Sequence, residues 1–235
     1  MGKRISELSK FKKGRGTSGG GSGGDGGSDY KAWITTGELN STGTAESVYD
    51  YKTGRMVQCL SQGEKWFFHK LRFSDKVKDI KEQFPLTPLQ ETIDIAEEKG
   101  CKGSFNNNVV MTTDFLVTRT DDSMFALSVK VSESKVSKRQ KQLLDIEREY
   151  WKRHGVPFFM GYKDTLNPIE IMNIESVVDT YDWNKVFDDF SLARYLIAHH
   201  LITVDMTEKE LDFAEIVEKY KETEIWLTKK SLMAH

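Results

Sequence analysis

The sequence has little cysteine, no long apolar run and no large excess of charge. Cys59 and Cys101 are the only two cysteines among 235 residues. They form no CxxC or Cys/His pattern, so neither a disulfide framework nor a zinc site is indicated. There is no run of about eighteen apolar residues, and Gly and Ser rather than a hydrophobic core follow the basic N-terminus. We therefore expect an unsecreted protein of the reducing cytoplasm, without a membrane span.

The overall charge argues against a protein that coats nucleic acid nonspecifically. The formal net charge is -2 and the pI is near 6.2, whereas such domains usually carry a strong positive excess. Any DNA binding must therefore be local. The first fifteen residues are locally basic, with Glu7 as their single acid, and could follow a phosphate backbone. Their basic residues are Lys3, Arg4, Lys10, Lys12, Lys13 and Arg15.

Composition divides the chain into three parts. Residues 1–28 form a basic, Gly-rich arm. Its stretch RGTSGGGSGGDGGS has too little side-chain bulk to offset the entropy cost of ordering, so it predicts a flexible tether. An artificial linker is the alternative. Residues 29–165 are long enough for one full core. Residues 166–235 are helical in composition and predict a small module, with an incomplete winged helix as one option.

Apolar periodicity and turn residues predict an α/β sandwich for the middle part. The strands Val109–Thr118 and Met124–Val131 should form a hairpin at the centre of the sheet. The other predicted elements are a hairpin at Val48–Leu60, a helix from Ser61, a strand at VKDI running into EQFPL, a helix with Thr87 as N-cap and Pro88 as its first residue, a helix at Ser134–His154, and a buried strand VPFFMGY.

Two residues on the central hairpin are candidates for chemistry. Metal-assisted hydrolysis of a phosphodiester needs carboxylates to hold the ion and a cation to assist the water or the phosphorane. Asp114 lies inside the apolar strand MTTDFLV, where an unpaired charge is costly. Lys130 ends the next strand, so the hairpin should return it beside Asp114. The alternatives are a carboxylate bound to backbone and a surface lysine whose stem snorkels.

Two glutamates are further candidates. Glu147 lies within the apolar stripe of its helix and should face the core, where a salt bridge is the alternative to a site role. Glu64 stands three residues after Ser61, and a capping box in which it reaches the Ser61 amide is the alternative to a site role. By themselves these residues are a weak signature and do not name a substrate.

Longer motifs resemble the TnsA endonuclease family of cut-and-paste transposons. The resemblance rests on LSQGEKWFFHKLRFSDKVKDIKEQFPL, then VMTTDFLV, SVK and LLDIEREYWKRHGVPFF, in the same order. It covers about residues 13 to 175, including YDYKTGR and the LNP at 166–168. VxDIxEQFPL together with M(S/T)TDFLV is the most specific part of the pattern.

The resemblance implies a restriction-endonuclease-like (PD-(D/E)xK) fold and a magnesium site that also accepts manganese. The family's catalytic positions fall on Glu64, Asp114, Lys130 and Glu147. Glu64, Asp114 and the Val129 carbonyl would hold the ion. Ser128 is a departure, because the family often has Gln there and related nucleases have Glu, which is a better ligand for a hard cation. A water held by Ser128 could complete the coordination shell.

The resemblance also implies cleavage at the 5′ ends of a transposon in a bacterial, nucleoid-associated setting. A TnsB-type transposase would make the 3′ cuts, and a TnsC-type ATPase would bind the C-terminal part, which is shorter here than the family leads us to expect. Two alternatives are a scaffold that bridges transposase and ATPase, and a free-standing nuclease. Contacts to the transposon-end DNA should be mainly to phosphates. The candidate residues are Lys12, Lys13, Arg15, Lys135, Lys138, Arg139 and Lys141. For the last four, a solvated helix face is the alternative.

Overall fold

A computed structural model describes residues 15–16, 29–38, 44–101 and 109–233. The predicted flexible arm therefore lies almost entirely outside the described residues. The chain divides into two compact units, residues 1–165 and 166–235. No helix in the described part is long and apolar enough to cross a membrane.

In its described residues the first unit contains six strands and three α-helices. In chain order they are β1 (Glu46–Asp50), β2 (Arg55–Cys59), α1 (Gln62–Phe73), β3 (Val77–Pro85), α2 (Leu89–Glu98), β4 (Thr112–Arg119), β5 (Met124–Lys130), α3 (Lys138–Arg153) and β6 (Phe158–Tyr162). Four strands form a sheet of order β3-β4-β5-β6, and β1 and β2 form a separate hairpin. The β3-β4 and β4-β5 pairs are antiparallel, and β6 adds parallel to β5 after a helical crossover. The predicted hairpin β4-β5 is therefore central, as expected.

The sheet is covered on both faces because its central strands are apolar on both. In β4, Phe115 and Val117 join a cluster with Phe68 of α1 and the β1-β2 hairpin. Leu116, which points to the opposite face, joins a second cluster with Ile95 of α2 and residues of α3. This period-two alternation follows from strand geometry. A sheet buried on both sides gives a rigid frame for residues at its ends.

Three local predictions were wrong. The last strand is an edge strand rather than a buried one, since Phe159 is 49% exposed. Helix α2 begins one residue later than expected: Pro88 is extended and occupies the N-cap, while the Thr87 carbonyl accepts a hydrogen bond from Tyr150. Helix α3 begins at Lys138, because Ser137 and Gln140 form a complete capping box there.

The regular elements of the second unit are all helical in its described residues, 166–233, and no strand occurs there. These helices agree with the helical composition of the segment, whereas nothing in these residues supports a wing. Side chains cap three of its helices, Asn167, Asp188 and Asp212 each accepting from backbone N–H groups. Its helices are α4 (Pro168–Val178), α5 (Asp189–Ala198), α6 (Phe213–Tyr220) and α7 (Glu224–Leu232).

Candidate active site

Asp114 and Lys130 meet where the central hairpin opens. The β4-β5 register ends at the Phe115–Leu127 pair, so the two strands separate beyond it. There the Asp114 carboxylate, rather than a backbone carbonyl, accepts the Val129 N–H at 2.6 Å. Lys130 Nζ lies 3.6 Å from the same carboxylate oxygen and donates to the Val129 carbonyl at 2.7 Å. The end of the sheet thus carries one anion, one cation and one carbonyl oxygen in direct contact.

Glu64 reaches this region from the first turn of α1. It is buried, and burial, followed by the nearby charge of Asp114, raises its pKa to about 8. Its carboxylate accepts from the Leu60 N–H and the Ser61 hydroxyl, both at 2.8 Å. The capping box predicted from the sequence is therefore altered: Ser61 does cap α1 by accepting from the Glu64 N–H, but Glu64 reaches the amide of Leu60 instead of that of Ser61.

Glu147 is buried between α3 and the sheet, as its position in the apolar stripe predicted. Ser128 donates its hydroxyl to the Glu147 carboxylate at 2.7 Å, and Thr113 donates to the same oxygen. Trp151 in turn donates its indole N–H to the Thr113 hydroxyl at 2.6 Å. Burial, followed by the charge of Asp114, raises the pKa of Glu147 to about 7. Two hydroxyl groups therefore donate to this carboxylate in the place of the Arg or Lys partner that a salt bridge would need.

Gln83 is a site residue that the sequence reasoning missed. It lies opposite Asp114 in the β3-β4 register, is buried, and has a φ of +47°. Its amide donates to the Glu64 carboxylate at 3.0 Å and accepts from the Thr112 hydroxyl at 3.2 Å. A non-glycine residue in the left-handed region costs about 1–3 kcal/mol and often marks a functional site. A glutamine in an otherwise ordinary strand gave no sequence signal for this backbone geometry.

A cleft of about 400 Å³ opens beside these residues. Among the described residues, Glu64 is its single acidic lining residue, whereas three lysines line it: Lys130, Lys135 and Lys163. Lys163, in a 3-10 turn after β6, was not a candidate in the sequence analysis. The remaining polar lining consists of Thr44, Ser61, Gln62, Ser132 and Gln140. The cleft therefore suits an anionic ligand next to the reacting carboxylates.

The basic residues expected to contact DNA are dispersed. Lys12 and Lys13 lie outside the described residues. Arg15 is paired with Glu38, donating to both carboxylate oxygens at 2.9 Å. Lys135 lies in a 3-10 turn before α3, not on the helix as predicted, and lines the cleft. The last three expected residues are exposed on the first turn of α3: Lys138, Arg139 and Lys141.

Side chains alone do not form a complete metal centre. Within the described ranges, no group of three or more His, Cys, Asp and Glu side chains stands close enough to hold an ion. Asp114 and Glu64 are two oxygen donors, and the Val129 carbonyl is a third donor of backbone origin. Oxygen donors of this kind suit hard cations such as Mg²⁺. Any ion held here would depend on the backbone of β5 as well as on carboxylates.

Comparison with known proteins identifies the class of this unit. Residues 74–161 match the family model described as TnsA-like endonuclease N terminal. That range includes Gln83, Asp114, Lys130 and Glu147, whereas Glu64 precedes it. The first unit therefore carries a TnsA-like N-terminal domain, as the motifs indicated.

A curated relative supports the same assignment. Over 170 residues the chain is 36% identical to the Transposon Tn7 transposition protein TnsA of Escherichia coli. The match covers 71% of this chain and 59% of that protein. The chain thus spans well under two thirds of the length of its relative.

Proposed function

We propose that this protein is a divalent-metal-dependent DNA endonuclease that cuts the 5′ ends of a transposon during cut-and-paste transposition. The observation that carries the proposal is the meeting of Asp114, Lys130 and Glu64 at one end of a sheet whose sequence matches the TnsA-like domain. The similarity to a Tn7 transposition protein supports transposon ends as the substrate.

The fold we propose for this unit is restriction-endonuclease-like. A mixed sheet with a central antiparallel hairpin, a parallel edge strand and helices on both faces supports it. The positions of Asp114 and Lys130 on the two central strands support the PD-(D/E)xK pattern, with Ser128 in place of its second acid. The winged-helix option for residues 166–235 has no comparable support and is not part of the proposal.

The donor set fits a hard divalent cation. Glu64 is buried beside Asp114, and the repulsion between the two carboxylates contributes to the raised pKa of Glu64. A bound cation would relieve that repulsion and favour the ionised form. We assign Glu64, Asp114 and the Val129 carbonyl as the ligands of Mg²⁺, with Mn²⁺ as substitute. The ion would supply Lewis-acid polarisation of the phosphate and activation of water.

Lys130 would supply the positive charge that stabilises the phosphate during the reaction. Its ammonium bridges the Asp114 carboxylate and the Val129 carbonyl, so it is held within reach of the metal donors. With the Asp114 carboxylate and the Val129 carbonyl engaged as metal ligands, the ammonium would be free to turn toward the phosphate. There it would orient the attacking water and stabilise the charge that develops on the phosphorane.

Glu147 would act from behind the carboxylates rather than as a ligand. Its hydroxyl donors, Ser128 and Thr113, fix its carboxylate against the core side of β5. The charge of Asp114 raises the pKa of Glu147, and the charge of Glu147 in turn adds to the negative potential around Asp114. This arrangement also gives Ser128 a role that differs from binding metal: it orients Glu147.

We further propose that end recognition and completion of the cut need partners. A TnsB-type transposase would make the 3′ cuts, and a TnsC-type ATPase would regulate the reaction through residues 166–235. This chain would contact the backbone of the transposon-end DNA with Lys135, Lys138 and Arg139, which are exposed near the start of α3. Lys12 and Lys13 would add contacts from the arm, whereas Arg15 is engaged by Glu38.

The test is magnesium- and manganese-dependent cleavage of labelled transposon-end DNA with the cognate transposase present. We expect 5′-strand cleavage by the wild type and none by Asp114→Ala or Lys130→Ala. A mutant that cleaves at the wild-type rate would remove that residue from the proposed site.

A scaffold is the second candidate function, and one observation favours it. Ser128 has no carboxylate at a position where related nucleases have a metal ligand, and its hydroxyl donates to Glu147. A scaffold would support end joining by its partners without cutting the 5′ strand itself. Absence of wild-type nicking in a partner-complete reaction would favour this candidate over the nuclease.

A further inference from the structure

We propose that Lys163, together with Lys135, forms a subsite for a DNA backbone phosphate that flanks the one being cut. The inference rests on the proposed nuclease function and names a contact within the same cleft. The two lysines line the cleft whose floor includes Glu64 and Lys130. The ligand class is a phosphodiester of double-stranded DNA.

The charge of the cleft points to a phosphate. In the part of the chain that the structure describes, its lining includes three lysines and one acid, Glu64, which is itself buried and has a raised pKa. Ammonium groups recognise phosphate as point charges, and Ser132 and Gln140 add neutral polar groups to the lining. Lys130 is engaged with Asp114 and the Val129 carbonyl. Lys135 and Lys163 are therefore the cations available for a neighbouring phosphate.

Lys163 is held at the wall of the cleft rather than being a loose surface lysine. Its Nζ donates to the Gln62 side chain and lies 4.7 Å from the centre of the Trp66 ring. Both partners belong to the first turns of α1, next to Glu64. Neither the neutral amide nor the aromatic ring carries a formal negative charge that would compete with an incoming anion.

The backbone around Lys163 is also adapted to this position. A Cβ added at Gly63 would lie 3.1 Å from Val129 Cγ1 and 3.4 Å from Lys163 Cβ. A side chain at Gly63 would thus press mainly on Val129, while the stem of Lys163 lies within ordinary contact distance of the start of α1. The Lys163 ammonium is set at a defined place relative to Glu64 and Val129, both assigned above as metal ligands.

The first test measures binding without cleavage. Full-length wild type, Lys163→Met and Lys163→Arg are titrated with a fluorescent mixed-sequence DNA duplex in EDTA at several salt concentrations. Lys163→Met keeps the aliphatic stem but removes the charge. We expect it to bind about three- to tenfold more weakly and to lower the salt slope by about 1. Lys163→Arg should bind nearly as the wild type.

A matched control is Lys78→Met. Lys78 is an exposed lysine that pairs with Asp122, and it lies at the end of β3 away from Gln83. It should leave both the affinity and the salt slope unchanged. A Lys163→Met protein with wild-type affinity and slope overturns the proposal. The same measurement on Asp114→Ala with and without Lys163→Met separates the two claims, because the subsite stands if the loss of Lys163 still weakens binding by a protein that cannot cut.

The second test locates the phosphate in the cleavage reaction. Transposon-end substrates carry one neutral methylphosphonate at successive positions next to the cut. At one flanking position the wild type should lose as much activity as Lys163→Met, and the variant should lose nothing more. Additive losses at every position would show that Lys163 does not contact a flanking phosphate and would overturn the proposal.

Discussion

Replacing Glu147 with Gln should stabilise the metal-free protein above neutral pH while impairing cleavage. Glu147 is buried, and burial together with the charge of Asp114 raises its pKa from 4.5 to about 7. Above pH 4.5 the unfolded chain releases this proton while the folded protein retains it. Stability is therefore lost as the pH rises from about 4.5 through 7 and stays low above it. Gln keeps the shape and an acceptor for Ser128 but cannot ionise.

The magnitude follows from the size of the shift. A change of about 2.5 pH units corresponds to ~3 kcal/mol at 1.36 kcal/mol per unit. Part of this gain is offset because the Gln amide hydrogens need partners among hydroxyls that already donate. We expect a net gain of ~1–3 kcal/mol at pH 8.5, or roughly 2–10 °C in Tm.

The assay is thermal or urea unfolding of wild type and Glu147→Gln in EDTA between pH 5 and 9. The wild-type stability should fall with rising pH, and Glu64, whose pKa is raised to about 8, should add to the fall in both proteins. The variant should lose less stability, so the two curves should diverge as the pH rises from 5 to about 7 and stay apart above it. Parallel curves across the whole range would refute the reasoning, because Glu147 would then carry no penalty for ionisation.

Two further substitutions test the frame around the site. Gln83→Gly relieves a positive φ that costs about 1–3 kcal/mol, so we expect little change in Tm. It also removes a hydrogen-bond donor to Glu64, so cleavage should fall about tenfold or more. Unchanged cleavage would remove Gln83 from the site. Arg72→Met should destabilise the first unit by about 3–5 kcal/mol in urea unfolding, because Arg72 and Asp50 form a fully buried ion pair and Asp50 would remain buried without it. A loss below about 1 kcal/mol would contradict that reading, and Lys78→Met, at an exposed pair, is its control.

Much of the frame could be predicted from the sequence because it depends on local patterns. Alternating apolar residues identified the central hairpin, and Ser61 marked the start of α1. The predicted end of α3 at His154 is one residue beyond the observed last helical residue, Arg153, and Gly155 follows with a φ of +67°. Where tertiary contacts compete with local signals, the sequence was a poorer guide. Thr87 resembles an N-cap, yet its carbonyl serves Tyr150 and Pro88 takes the cap position.

The candidate site was predictable in its residues but not in its connections. Periodicity placed Glu147 toward the core, and the hairpin returned Lys130 to Asp114. The left-handed backbone at Gln83 and the approach of Lys163 to α1 arise from contacts between segments far apart in the chain. No local pattern encodes them, because each depends on how separate elements pack.

The central claim is tested most directly by strand-specific cleavage with a variant that keeps the shape of the site. Wild type and Asp114→Asn are compared on transposon-end DNA labelled separately on each strand, with Mg²⁺ and the cognate transposase, after DNA binding by the two proteins has been matched. The account predicts a metal-dependent cut in the 5′ strand by the wild type alone. Cleavage of that strand at equal rates by both proteins would contradict it.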